Sequence, residues 1–239
     1  LFWVDDIGNG KWGVMKKSDT YTTSELFVTT YSTATIKSEF GSTIVKQHNS
    51  STIIVSAPLT PVTSGYGEIH IYDVLGNSIT EISSFTLNSF DNQYRPDTDK
   101  TPFGDALCYD SVDNLIFASA SHASTNTVAV NQGLVKVSSF YRSNGNLEIP
   151  YAIIRSPIPQ NSSTFGASLF VQSSSTLKTL LISAPGFSDP AYNKDTGAVF
   201  RFDIEIQNEN TKTFTGLTAT ITTSTVYPVA SGTNATFDI

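Results

Sequence analysis

Phe165-Gly166-Ala167-Ser168-Leu169-Phe170, then Leu181-Ile182-Ser183-Ala184-Pro185, then Gly197-Ala198-Val199-Phe200-Arg201-Phe202: these three apolar runs, in this order, decide the fold. The same order occurs twice upstream. Phe103-Gly104-Asp105-Ala106-Leu107-Cys108 leads to Ile116-Phe117-Ala118-Ser119-Ala120-Ser121 and Gly133-Leu134-Val135-Lys136-Val137-Ser138. Phe40-Gly41-Ser42-Thr43-Ile44-Val45 leads to Ile53-Ile54-Val55-Ser56-Ala57-Pro58 and Gly67-Glu68-Ile69-His70-Ile71-Tyr72. The Phe-Gly pairs stand 63 and 62 residues apart, and the Ser of each Ser-Ala follows its Phe by 16, 16 and 18 residues. Similar composition alone yields similar strands. It does not yield three features in fixed order at matched offsets, which is the signature of a repeat architecture.

Short alternating runs of Val, Ile, Thr, Phe and Tyr between Gly, Pro, Asn and Ser clusters predict strands, and no window carries an apolar helical face. The first strands are expected at Ser42–Val45, Asp105–Cys108 and Ala167–Phe170, and the fourth at Ser78–Leu87, Glu148–Arg155 and Phe214–Thr223. Each unit is then four antiparallel strands in about 60 residues, the size of a propeller blade. The expected organisation is an all-β chain with blades over 40–102, 103–164 and 165–226. An N-terminal hairpin and partial blade fill 1–39, and 227–239 forms a terminal strand or the start of a further element. Phe40, Phe103 and Phe165 are expected to be buried between neighbouring sheets, with Gly41, Gly104 and Gly166 allowing backbone angles or approaches that a Cβ would block.

The pattern Phe-Gly, Ser-Ala-Pro, Gly-x-(Val/Ile)-x-(Val/Ile)-(Tyr/Phe) resembles the FG-GAP repeat of integrin-α-like β-propellers, over residues 40 to about 205. That family usually has Gly-Ala-Pro where this chain has Ser56, Ser119 and Ser183, and Ser121 replaces the Pro of the second copy. The resemblance implies a propeller, here a fragment of a larger ring, because a ring needs at least about four blades. The segment Phe2-Trp3-Val4-Asp5 through Gly10-Lys11-Trp12-Gly13-Val14 and the ending Ala235-Thr236-Phe237-Asp238-Ile239 are similar to hairpin elements of large bacteriophage virion proteins.

Within 239 residues, 14 Lys and Arg stand against 21 Asp and Glu, a net charge of −7. Phosphate binding takes clustered cations, so nucleic acid is disfavoured as a partner, and so is an anionic membrane surface. No apolar run reaches the roughly 20 residues of a membrane-spanning helix, and no leader is visible at the N-terminus. The single cysteine, Cys108, excludes an internal disulfide and zinc spacings, and its apolar strand marks it as a core residue.

FG-GAP blades often carry an Asp-rich calcium loop between the first and second strands. The matching windows are 46–51, 109–114 and 172–177, and only the second holds carboxylates, Asp110 and Asp113, beside Asn114. Calcium takes six to eight oxygens, whereas a solvated hairpin turn accounts for the same residues. Asp91, Asp97 and Asp99 belong to a polar connection. Calcium is therefore disfavoured, and no other cofactor is expected.

Gly8-Asn9-Gly10-Lys11-Trp12-Gly13 matches a dinucleotide fingerprint, but a strand-like run follows where a helix must begin, so Asn-Gly reads as a hairpin turn. Gly-x-Ser-x-Gly and His-Glu-x-x-His are both missing. Spacing places none of His48, His70 and His122 beside a nucleophile or carboxylate, and His70 is expected to line a sheet face. Asn49, Asn161 and Asn234 open glycosylation triplets at the frequency chance gives in a chain rich in Ser and Thr.

The expected function is a non-enzymatic structural or adhesion module of a phage virion, in a fibre, neck or tail appendage. Its expected partners are other virion proteins or a host surface receptor, in a homo- or hetero-oligomeric assembly located on the virion. Two alternatives remain: an integrin-like adhesion domain, extracellular or at a cell surface, and the propeller platform of a surface hydrolase.

Overall fold

β-Branched and aromatic side chains concentrate where the backbone is extended, since they fit a pleated, half-buried surface. The computed structural model describes residues 11–16, 25–30, 39–46, 51–62, 65–75, 78–87, 94–95, 102–125, 131–139, 152–173, 178–189, 194–206, 214–222 and 233–234. Among them every regular element is a strand and every strand pairing is antiparallel.

β1 (Lys11–Lys16) pairs with β2 (Glu25–Thr30). The first large sheet follows chain order through β3 (Ile44–Lys46), β4 (Thr52–Val62), β5 (Gly65–Leu75) and β6 (Ser78–Thr86). Its β4–β5 ladder slips between Ala57 and Pro61, in the stretch where Pro58 and Pro61 have no N–H to donate. β7 (Tyr94–Arg95) pairs with β10 (Ser124–Thr125). The second sheet comprises β8 (Leu107–Asp110), β9 (Leu115–Ala120), β11 (Leu134–Ser139) and β12 (Ala152–Arg155). The third comprises β13 (Leu169–Ser173), β14 (Lys178–Ala184), β17 (Ala198–Ile206) and β18 (Phe214–Thr222), with β19 (Thr233–Asn234) added beside β18. β15 (Ser188–Asp189) and β16 (Lys194–Asp195) form a short side ladder.

Each predicted first strand begins two residues later than its sequence suggests, four residues after the Phe in all three sheets. The residues in between form the corner. Gly41, Gly104 and Gly166 take left-handed φ of 87°, 98° and 99°, and their N–H groups donate to Ser56, Ser119 and Ser183 carbonyls at 2.8, 2.6 and 2.9 Å. The fourth strands lie where expected, although residues 148–151 fall outside the described set. The Phe2–Val4 half of the N-terminal hairpin and residues 235–239 also fall outside it.

The three sheets stack face to face, with the second in the middle. Ile54, Ile69 and Ile71 of the first sheet pack with Phe103, Ile116 and Ala118. Leu115, Phe117, Val135 and Val137 on the opposite face of the second sheet pack with Phe165, Leu180, Ile182 and Phe200 of the third. Strand β3 lies against β8, and β8 against β13.

The repeated motif residues are the parts of this stacking. Phe40, Phe103 and Phe165 are all fully buried. The second glycine of β5, Gly67 (φ 101°), lies so close to the next sheet's Phe103 that a Cβ would fall 2.5 Å from its amide nitrogen. The glycine ahead of β11, Gly133 (φ 86°), meets the Phe165 backbone in the same way, and Phe165 N–H donates to the Gln132 carbonyl at 2.9 Å. The corner glycine of each following sheet sits on the preceding Ser. A Cβ on Gly104 would come 2.9 Å from Ser56 Cβ, and one on Gly166 would come 2.9 Å from Ser119 Cβ.

Candidate functional site

Strands β8 and β9 are joined by Ser111, Val112, Asp113 and Asn114. Asp110 caps this turn, its carboxylate accepting from Val112 N–H (2.9 Å) and Asp113 N–H (3.4 Å). Asn114 has the left-handed φ of 56° that Asn tolerates, and its Oδ1 accepts the Tyr109 hydroxyl at 2.6 Å. Into this turn reaches Lys178, the first residue of β14 in the next sheet. Its Nζ stands 2.6 Å from Asp110 Oδ2 and also pairs with Asp113.

Asp110 and Lys178 are buried. Burial alone raises the Asp110 pKa, but hydrogen bonds from Lys178, Ser173 and the Val112 N–H, with the lysine charge, outweigh it and hold the carboxyl below its ordinary 3.8. The two predicted candidate ligands, Asp110 and Asp113, therefore come together around an ammonium supplied by the neighbouring sheet. The arrangement neutralises charge and ties the second sheet to the third. Among the described residues no group of three or more His, Cys, Asp or Glu side chains forms a metal cluster.

Lys178 was legible in the sequence by one signal. Period-two alternation places it on the same face as Leu180, Ile182 and Ala184, and a lysine on a core-facing strand position requires an acid nearby.

A second polar cluster sits at the corner of the second sheet. Ser121 Oγ lies 2.5 Å from Asp105 Oδ2 and 3.0 Å from His122 Nδ1, while His122 Nδ1 and Asp105 Oδ2 are 3.7 Å apart. The residue types match those of a hydrolytic triad, but the order in space does not. The serine hydroxyl donates to the carboxylate, so the imidazole is not placed to take its proton. The cluster instead explains a departure from the repeat. Ser121 replaces the Pro58 and Pro185 of the other copies, and its extra N–H finds Asp105 Oδ2 at 3.3 Å.

His70 lines a sheet face, as its sequence position suggests, but its isolation from carboxylates is corrected. Its Nδ1 is 3.0 Å from Glu81 Oε1 and its Nε2 is 3.5 Å from Glu68 Oε2. Glu81 lies on β6 and is brought near by cross-strand pairing, while Glu68 lies two residues away on β5 and so shares the face of His70. Phe40 and Tyr72 pack on the ring. The correction extends to His122, which lies near Asp105. Cys108 is buried, and burial first, then the Asp110 charge, pushes its thiol far above the usual range, which suits a core residue and not a nucleophile. His48, Asn49, Asp91, Asp97 and Asp99 lie outside the described residues, and Asn161 is exposed in a turn.

Neither the models of known protein families nor the curated proteins contain a match to this chain.

Proposed function

We propose that the three stacked sheets are consecutive blades of an FG-GAP-type β-propeller, serving as a non-enzymatic structural or adhesion module of a phage virion. The observation that carries the propeller reading is the directional stacking. The Phe103-Gly104 and Phe165-Gly166 corners both close on the Gly and Ser of the sheet before them, one repeat period apart, and radial repetition of four-stranded sheets follows from such a rule. A module held together by packing, with Lys178 in place of a bound cation between Asp110 and Asp113, suits an assembly that meets variable ion concentrations outside cells. The same lysine counts against the metal-dependent, integrin-like alternative. The virion reading is supported by the sequence likeness of the two chain ends and by an acidic composition rich in Ser and Thr.

Immunogold labelling of phage particles from the source tests the functional reading. Label at a tail, neck or fibre is expected, and label confined to cell surfaces would favour the adhesion alternative.

A further inference from the structure

The β8–β9 turn and the start of β14 bring together a nucleophile, an acyl group and a proton carrier. Lys178 offers a primary amine whose side chain is 4% exposed, and the Asp110 side chain beside it is fully buried. Nζ stands 2.6 Å from Asp110 Oδ2, so the carboxyl carbon is one bond further on. Asp113 also pairs with Nζ and, at 30% exposed, is the member of the group that meets solvent. The Asp110 carboxyl is held by the N–H groups of Val112 (2.9 Å) and Asp113 (3.4 Å). These donors address the oxygens on which negative charge grows when a nucleophile adds to the carbon. Leu180 and Ile182, on the same face of β14 as Lys178, are fully buried.

We infer that Lys178 and Asp110 condense into an intramolecular amide that joins the second sheet covalently to the third. The Lys178 ammonium passes a proton to Asp113, and the freed Nζ lone pair adds to Asp110 Cγ. A C–N bond forms and one C–O bond of the carboxyl breaks. Two ammonium protons leave with that oxygen as water, carried by Asp113, which ends as it began, and nothing is oxidised or reduced. Two physical terms favour the step. An ammonium and a carboxylate held out of water carry a desolvation cost, and the amide that replaces them is neutral. Reactants fixed in contact also react at effective concentrations on the order of 10⁵ to 10⁸ M. The ion pair is the open form, in which Asp110 titrates, and the closed form has no Asp110 carboxylate left. In a chain whose single cysteine excludes an internal disulfide, the amide closes the loop from Asp110 to Lys178. The inference goes beyond the propeller and virion readings and stands whether or not they fail.

Intact-mass spectrometry of the full chain, denatured only for the measurement, tests the step. Protein held folded at neutral pH is expected to be lighter than its sequence by one water, and protein kept in urea throughout to have the full mass. Proteolysis of the lighter form should yield one branched peptide that carries both Asp110 and Lys178. Lys178→Arg keeps the cation and should have the full mass. Asp110→Asn should lose ammonia in place of water, because nitrogen then leaves the acyl carbon. Asp113→Ala should slow the appearance of the lighter form on the order of 100-fold or more, the usual share of a positioned proton carrier. The wild-type mass decides even where a variant fails to fold. Full mass in folded wild type would overturn the proposal, as would equal water loss from Lys178→Arg or a branched peptide joining Lys178 to any residue but Asp110. An unchanged rate in Asp113→Ala would overturn the role given to Asp113.

Discussion

In β9 every side chain from Leu115 to Ala120 is buried, whereas in β14 burial alternates from Lys178 to Ala184. The two strands hold the same place in their sheets and differ in what covers them. A strand with sheets on both sides reads as a continuous apolar run, and one with a single covered face alternates. Among the described residues, the second sheet thus has a sheet on both faces and the third has one on a single face. A repeat position on the far face, such as Val135 in the second sheet and Val199 in the third, is fully buried in one and partly exposed in the other.

Truncating a wedge residue is the harshest way to break this comparison. Phe103→Ala and Phe165→Ala each remove a fully buried ring and should cost about 3–5 kcal/mol in chemical denaturation. Phe170→Ala, on the exposed face, should cost under about 1 kcal/mol. Equal losses at the three sites would erase the distinction.

Removing the buried charge that crosses from the third sheet to the second comes close behind. Lys178→Met leaves Asp110 buried and uncompensated and should cost about 3–5 kcal/mol, while Arg201→Met breaks an exposed pair worth about 0–1 kcal/mol. The folded Asp110 carboxyl is held below its ordinary 3.8. Its contribution is therefore present above that pH and lost as pH falls through the folded value. The stability gap between wild type and Lys178→Met should narrow on acidification, and a gap independent of pH would separate Lys178 from Asp110.

The glycine pair sharpens the comparison further. Gly133→Ala drives a Cβ into the Phe165 backbone and adds left-handed strain, for about 2–5 kcal/mol. Gly197→Ala, at φ 67° and with the Pro185 carbonyl oxygen 3.3 Å from the new Cβ, avoids a backbone collision under 3 Å and should cost mainly the strain, about 1–2 kcal/mol.

The repeat, the sheet number and the buried Phe positions were legible because they recur at one period. The first-strand starts were misplaced because Ser42, Asp105 and Ala167 look strand-like by composition, while the left-handed glycine before them forces a corner. The Asp110–Lys178 pair was half legible. The turn carboxylates stood out, but their partner lies 68 residues away, on a strand whose neighbour only the stacking defines. The His70–Glu81 contact likewise depends on β5–β6 register across a bulge between Ile71 and Tyr72, which no local pattern announces.

The Phe-Gly corner as the lock between successive sheets is tested most directly by nuclear Overhauser spectroscopy on Gly- and Phe-labelled protein. Cross-peaks between Gly67 Hα and the Phe103 amide, and between Gly133 Hα and the Phe165 amide, are expected, with no such peak from Gly197 to the amide of Phe40, Phe103 or Phe165. Missing peaks at both Gly67 and Gly133 in a folded sample would contradict the stacking.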